Sequence, residues 1–251
     1  MIDLDGPRGL GDAIHLRALV LHLLGAGDEV TVFTPWPDVF SGLAIVVKGI
    51  KERTGAEDIH HCSACLHCRL TEVRGRLTTM FEMACRQAGV FEPVPLAIDW
   101  VVRNNNLVER IKRRAAGRKV FVYQPPRITN GLEQEVMRPN AEAFVRYIDQ
   151  HSDCYRIKVG RSDAVEVFGD APCELNLFDK TSVHDAFDVV SVADMVFSPP
   201  SYLTILAQAM DRPYTCMFTR RAALSQFSRA KNLTPEVLFH KPAIGTAVYD
   251  A

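Results

Sequence analysis

Two stretches of this chain bring together residue types that can do chemistry. The first is Arg8-Gly9-Leu10-Gly11-Asp12-Ala13-Ile14-His15. Glycines let a backbone pass close to a ligand and take dihedrals closed to other residues. An acid among them, beside a crevice, is well placed to take a proton from a substrate. His15 follows Asp12 by one helical turn and could orient it or touch a substrate. The bland alternatives are that Asp12 caps a helix, since Asp is a preferred N-cap, and that His15 is a satisfied structural histidine.

The second stretch is His60-His61-Cys62-Ser63-Ala64-Cys65-Leu66-His67-Cys68. Thiolate and imidazole together suit zinc, which takes four such ligands in a tetrahedron. No second Cys-x-x-Cys pair follows, so Cys85 is the nearest later candidate to join Cys62, Cys65 and Cys68. A ferredoxin-type run would need its fourth cysteine at 72, where Glu72 stands. A site so rich in thiolate leaves no open position for catalysis, so its zinc is expected to be structural. The alternative is a set of thiols in a loop.

Certain elements must hold these groups in place. Met1–Leu4 is a brief apolar stretch, and Ile14, Leu16, Leu19, Val20, Leu23 and Leu24 recur at helical spacing up to the stop at Gly25-Ala26-Gly27. Asp12 then lies in the turn between a first strand and a first helix, whose unpaired N–H groups face the crevice. Glu29–Phe33 reads as a second strand, completing a β-α-β unit that opens a doubly wound sheet. Leu43–Val47 is expected as a buried strand, Gly75–Gly89 as a helix, and Leu96–Ile98 as a short strand.

Arg103–Lys119 is the most basic segment, with seven cations against Glu109. It reads as a connection carrying a helix. Its basic face is either solvated, as most charge runs are, or a contact for a polyanion. No aromatic residue is interleaved to stack on single-stranded bases.

Val120–Tyr123, Cys154–Val159, Met195–Phe197 and Tyr214–Phe218 then read as strands. Helices are expected over 132–150, Ser182–Val192 and Leu203–Met210. Polar loops leave the first three strands: Gln124–Gly131, Gly160–Asp163 and Ser198–Tyr202. Arg127 and Arg161 lie in two of these loops, and a guanidinium can clamp phosphate oxygens bidentately.

The 251 residues and 47% apolar content suffice for one large domain or two small ones. A formal net charge of −1 gives no overall preference for nucleic acid or membrane. No apolar run approaches the roughly twenty residues needed to cross a bilayer, and no signal peptide is visible. Seven cysteines without an export signal suggest reduced thiols or metal. The expected location is cytoplasmic.

Gly9-Leu10-Gly11-Asp12-x-Ile14-His15, followed by an Ala-Leu helix, resembles the opening of the bacterial heptosyltransferase family of glycosyltransferases. The block from Met195 to Phe218 resembles that family's donor-binding block: strand, polar loop, Ala-rich helix, proline, strand. The resemblance implies an α/β chain of two small Rossmann-like domains facing across a cleft, the GT-B architecture. Residues 1–100 would be the acceptor-side domain, 101–118 the basic connection and 119–251 the nucleotide-sugar-binding domain.

The resemblance also implies inverting sugar transfer from a nucleotide-sugar to an acceptor hydroxyl, needing no cofactor, with Asp12 as the catalytic base. Gly9, Gly11, Arg127, Arg161, Ser198, Ser201 and Tyr202 would then serve the donor. The family usually carries an Asp in the last loop and a His one turn into the helix, where this chain has Pro200 and Ile205, so its donor sugar is expected to differ. The acceptor would be a saccharide or, as for some phage enzymes of this architecture, the hydroxymethylated base of DNA. The competing class is a non-catalytic nucleotide- or nucleic-acid-binding protein with a structural zinc site.

Overall fold

The structure, a computed structural model, describes residues 2–6, 9–49, 71–73, 76–78, 81, 85–86, 88–125, 141–160, 171–199 and 201–216. The chain divides into two compact units, Met1–Ile98 and Asp99–Ala251.

The first unit opens with β1 (Ile2–Asp5), α1 (Leu10–Gly25) and β2 (Val30–Phe33). A 3-10 turn, Pro37–Phe40, leads to β3 (Val46–Lys48), and the three strands pair in parallel in the order β1-β2-β3. α1 is apolar on most of its circumference, and Ile14, Leu16, Leu19, Val20 and Leu23 are all buried. Such a helix is covered on more than one side. Arg17 is buried with them because its guanidinium donates to Val39 O at 2.7 Å and Ser41 O at 3.2 Å, tying α1 to the 3-10 turn. The helix ends at Ala26, and Gly27 takes φ +88°, the left-handed stop expected there.

Three expectations fail in this unit. The third strand is Val46–Lys48, and it is mostly exposed, with Val46 at 53%. It lies at the end of the strand order and has a neighbour on one side only among the described residues. Residues 76–78 are not helical: β4 (Thr71–Val73) and β5 (Arg76–Thr78) form an antiparallel hairpin. Their β-branched residues favour strand, and just two residues separate the pair. Helix survives only at Phe81 and Cys85–Arg86 among the described residues of that span. Leu96–Ile98 forms no strand; Ala97 N–H is spent on Pro95 O at 2.9 Å, and prolines remove two further donors.

The second unit begins with α2 (Asn105–Ala115), followed by β6 (Val120–Tyr123), α3 (Ala141–Asp149) and β7 (Tyr155–Lys158). Then come β8 (Leu175–Asn176), α4 (Val183–Ser191), β9 (Met195–Ser198), α5 (Tyr202–Ala209) and β10 (Tyr214–Cys216). The five strands are all parallel, in the order β10-β9-β6-β7-β8. Counted from β6 this is 3-2-1-4-5, the doubly wound order. The central strands β6 (Val-Phe-Val-Tyr) and β9 (Met-Val-Phe-Ser) are near-continuous apolar runs, as parallel strands covered on both faces must be. Phe121, Tyr123, Phe144, Tyr147, Ile148 and Phe197 fill the core between β6, β9 and α3, with Phe144 and Phe197 stacked at 4.6 Å.

The basic segment belongs to this unit. Leu107, Val108, Ile111 and Ala115 are buried, and α2 packs against α4. Ahead of it, the fully buried Asp188 accepts from Trp100 Nε1 at 2.7 Å, Asn104 N at 2.6 Å and Arg103 N at 3.1 Å. A buried carboxylate is tolerated when it is fully hydrogen-bonded in this way.

Candidate active site

The site in the first unit is built where β1 and β2 end. At Gly6 a Cβ would lie 2.6 Å from Thr34 Cβ and 2.7 Å from Phe33 O, so only glycine lets the two exit loops touch. Gly6 N–H donates to Phe33 O, and the buried Thr34 donates its own N–H to Lys48 O at 2.9 Å. The carboxyl ends of β1, β2 and β3 are thereby held together.

Helix α1 starts at Leu10, earlier than its apolar pattern suggests. Its N-cap is Gly9, in an extended conformation with φ −79° and ψ 133°, and no side chain caps the first turn. Asp12 is therefore not the N-cap. It is the third residue of the helix, and its carboxylate folds back over Gly9: a Cβ there would sit 2.7 Å from Asp12 Oδ2. Gly11, one residue before, is buried.

Burial raises the Asp12 pKa from 3.8 to about 6. The unpaired N–H groups of the first turn pull the other way by favouring the carboxylate. The result is a carboxylate whose proton affinity is matched to a neutral medium, as a general base requires. His15 lies one turn on, its ring 5.6 Å from that of the buried Phe81. Although part of its surface stays accessible, loss of solvent lowers its pKa from 6.5 to about 4. His15 is thus a neutral imidazole near pH 7, able to donate or accept one hydrogen bond at each nitrogen but not to supply positive charge.

In the second unit the strand order reverses between β6 and β9, and ligands of doubly wound sheets bind outside the carboxyl ends at that point. Gln124 follows β6 there, buried, with its N–H donating to Phe197 O at 3.0 Å. Ser198, the last residue of β9, is fully buried; its hydroxyl donates to Pro199 O at 2.7 Å and lies 2.9 Å from Ser201 Oγ. Ser201 is the N-cap of α5: its oxygen accepts from Leu203 N at 3.1 Å and faces Gln124 Oε1 at 3.3 Å. Thr204 completes a capping box, so the first turn of α5 is fixed in place. Tyr202, the first residue of α5, is half-buried.

At the end of β7, Gly160 takes φ +136°, and a Cβ there would meet the Phe178 ring at 2.8 Å. Lys158 is buried with its ammonium 5.5 Å from the same ring. Arg127, Arg161, Cys62, Cys65, Cys68 and Pro200 lie outside the described residues; Cys85 is buried. Among the described residues no group of three or more His, Cys, Asp and Glu side chains could hold a metal.

The sequence reading missed Gly6, Gln124, Lys158 and Asp188. The dipeptide Gly6-Pro7 at the end of an apolar run is a turn signal that could have pointed to the first of these. Gln124 could have been found as the first polar residue after a buried strand.

No protein-family model and no curated protein sequence matches the chain. Solved structures do. A family 9 glycosyltransferase from Veillonella parvula superposes with a TM-score of 0.60 at 10% identity, over 85% of this chain and 79% of that one. The ADP-heptose lps heptosyltransferase II of E. coli gives a TM-score of 0.56 at 14% identity, over 100% of this chain and 94% of that one. The fold is that of the GT-B heptosyltransferases. The iron-containing heptosyltransferase TibC of E. coli, in complex with ADP-D-beta-D-heptose, superposes at 0.50 with 11% identity, over 86% of this chain and 57% of TibC. The expected α/β architecture with parallel sheets is therefore correct. Among the described residues no helix is long and apolar enough to cross a membrane.

Proposed function

We propose that this protein is an inverting glycosyltransferase that moves a sugar from a nucleotide-sugar to an acceptor hydroxyl. The observation that carries the reading is Asp12: a carboxylate of pKa about 6, in the first helical turn beyond β1 of a heptosyltransferase fold. Asp12 takes the proton of the acceptor hydroxyl as that oxygen attacks the anomeric carbon. The bond from that carbon to the donor's phosphate oxygen breaks, its electron pair leaves with the nucleoside diphosphate, and the configuration inverts.

Arg127, Arg161 and the helix N-termini at the carboxyl edge of the second sheet receive the growing phosphate charge, so no metal is needed for the chemistry. Ser198 and Ser201 support this edge through the hydrogen bonds that fix the first turn of α5. Neutral His15 orients the acceptor by a hydrogen bond. The acceptor is a saccharide, by analogy with the neighbour named for lps. Pro200 and Ile205 stand where the family usually has Asp and His, which favours a donor sugar other than the family's usual one. Cys62, Cys65, Cys68 and Cys85 would hold a structural zinc, and the protein works in a reducing, cytoplasmic setting.

A panel of nucleoside diphosphates and their sugar conjugates tests this reading. A ligand that binds only the native state must raise Tm. At least one diphosphate is expected to do so, and its sugar conjugate is expected to release that diphosphate when acceptor saccharide is added. No shift across the panel would overturn donor binding.

A further inference from the structure

Gln124 follows β6, the strand between β9 and β7 where the second sheet reverses its order, and it is only 3% exposed. Its main-chain N–H is spent on Phe197 O at 3.0 Å. Ser201 Oγ accepts from Leu203 N at 3.1 Å and turns its own proton toward Gln124 Oε1, at 3.3 Å. The acceptor end of the carboxamide is thereby fixed on the N-cap of α5. Its donor end, Nε2, carries two N–H bonds and has no hydrogen-bond partner among the described residues. Buried donors in folded proteins are nearly always paired, so this pair is kept for something the protein binds.

The surroundings of the amide favour an anion. The two ends of a carboxamide share one carbon, so with Oε1 on Ser201 the Nε2 group stands beside the first turn of α5. The backbone N–H groups of that turn give the helix end a partial positive charge. On the β7 side, a Cβ on Gly160 would lie 3.6 Å from Gln124 Cγ and 2.8 Å from the Phe178 ring. Lys158, buried at the end of β7, holds its ammonium 5.5 Å from the same ring. The stem of Gln124 therefore lies against the exit of β7, close to a buried cation. A neutral amide placed there adds hydrogen-bond donors without adding charge.

We propose that Gln124 is a binding residue of the second unit's crevice, with Nε2 donating to an oxygen of a bound diphosphate. Arg127 and Arg161, assigned above to the same group, supply charge. Gln124, held at Cγ and Oε1, supplies a fixed direction. That the diphosphate belongs to a nucleotide-sugar rests on the sugar-transfer reading; the contact between Nε2 and a phosphate oxygen does not.

Calorimetry of the full chain with inorganic pyrophosphate, ADP, GDP and UDP tests it, in the parent and in three variants of one position. Gln124→Met removes both ends of the amide and should weaken pyrophosphate binding about tenfold, as loss of a hydrogen bond to a charged group does. Gln124→Glu keeps the acceptor for Ser201 but sets a carboxylate against the phosphate, and should lose roughly another tenfold. Gln124→Lys gives up the Ser201 contact but keeps N–H donors, and should bind at least as tightly as Gln124→Met. A side chain that only braced α5 would reverse this order, with Glu above Met and Lys. Should Gln124→Glu fail to fold, the comparison of Lys with Met decides. A parent that does not bind pyrophosphate, variants that bind it as tightly as the parent, or the reversed order overturns the proposal. A loss confined to the nucleoside diphosphates overturns the phosphate contact. A parent that binds pyrophosphate but none of the nucleotides, with the variants in the expected order, upholds Gln124 and overturns the nucleotide-sugar reading instead.

Discussion

The Asp12 carboxylate rests against Gly9, so closely that a methyl group on residue 9 would lie 2.7 Å from Asp12 Oδ2. Gly9 is also the N-cap of α1, at a φ of −79° that any residue can adopt. Its requirement for glycine is thus one of space over the carboxylate, not of backbone conformation. Gly9→Ala should push the Asp12 side chain aside and cost about 1 kcal/mol of stability, since alanine is a markedly poorer N-cap than glycine. A displaced base costs about 10–100-fold in turnover. Steady-state kinetics beside a melting curve would reveal this pattern, and unchanged turnover would detach Gly9 from the site.

Asp12 and His15 pull stability in opposite directions as pH changes. Asp12 has a folded pKa of about 6 against an ordinary 3.8, so its contribution is full below pH 3.8 and lost as pH rises through 6. His15 has a folded pKa of about 4 against 6.5, so its contribution is full above pH 6.5 and lost as pH falls through 4. Each shift corresponds to at most about 3 kcal/mol, and between pH 4 and 6 the two slopes nearly cancel. Asp12→Asn removes one of them. The variant should be more stable than the parent at pH 7, and from pH 6.5 to 4 it should lose stability steeply where the parent is flat. Denaturant melts at four pH values read this directly, and parallel curves for the two proteins would contradict it.

Much of this fold is legible in the sequence because parallel strands covered on both faces are written as short apolar runs. Val30–Phe33, Val120–Tyr123 and Met195–Ser198 are such runs, and each is a strand. The strand-to-helix turn carrying Asp12 was legible too, since its glycines stand between a short apolar run and a helical pattern. What stayed hidden depends on partners remote in sequence. Asp188 looks like any helical acid until the N–H groups of Arg103 and Asn104 arrive 85 and 84 residues away. Gly6 has no special dihedral and is required only because Thr34 packs against it. The hairpin β4–β5 was misread because Leu77 fits a helical period with Met80, Phe81 and Ala84 as readily as a strand.

Arg127 and Arg161 follow β6 and β7 in the sequence, and a doubly wound sheet takes its ligand beyond the carboxyl ends of its strands. Replacing either with Ala should weaken nucleoside diphosphate binding by about 1–3 kcal/mol, the range for a charge-assisted contact. Calorimetry finding the parent affinity in both variants would remove them from the donor site.

The cysteine cluster makes a separate prediction. If Cys62, Cys65, Cys68 and Cys85 hold zinc, purified protein should carry close to one equivalent by elemental analysis, and a chelator should lower Tm. Because the metal is assigned a structural role, brief chelation that leaves the protein folded should leave turnover intact. Folded protein without zinc would retire the site.

The most direct test of the whole account is turnover by Asp12→Asn with whichever nucleotide-sugar raises Tm. Asparagine keeps the size and hydrogen-bonding shape of the side chain but cannot take a proton. The account predicts a folded protein, unchanged donor affinity, and a rate lower by roughly 10²–10⁴-fold. It also predicts that the parent's rate rises with pH through about 6, as Asp12 ionises, and that the variant's residual rate lacks this rise. An Asp12→Asn protein that transfers sugar at the parent rate would contradict the assignment of Asp12 as the base, and with it the mechanism proposed for this chain.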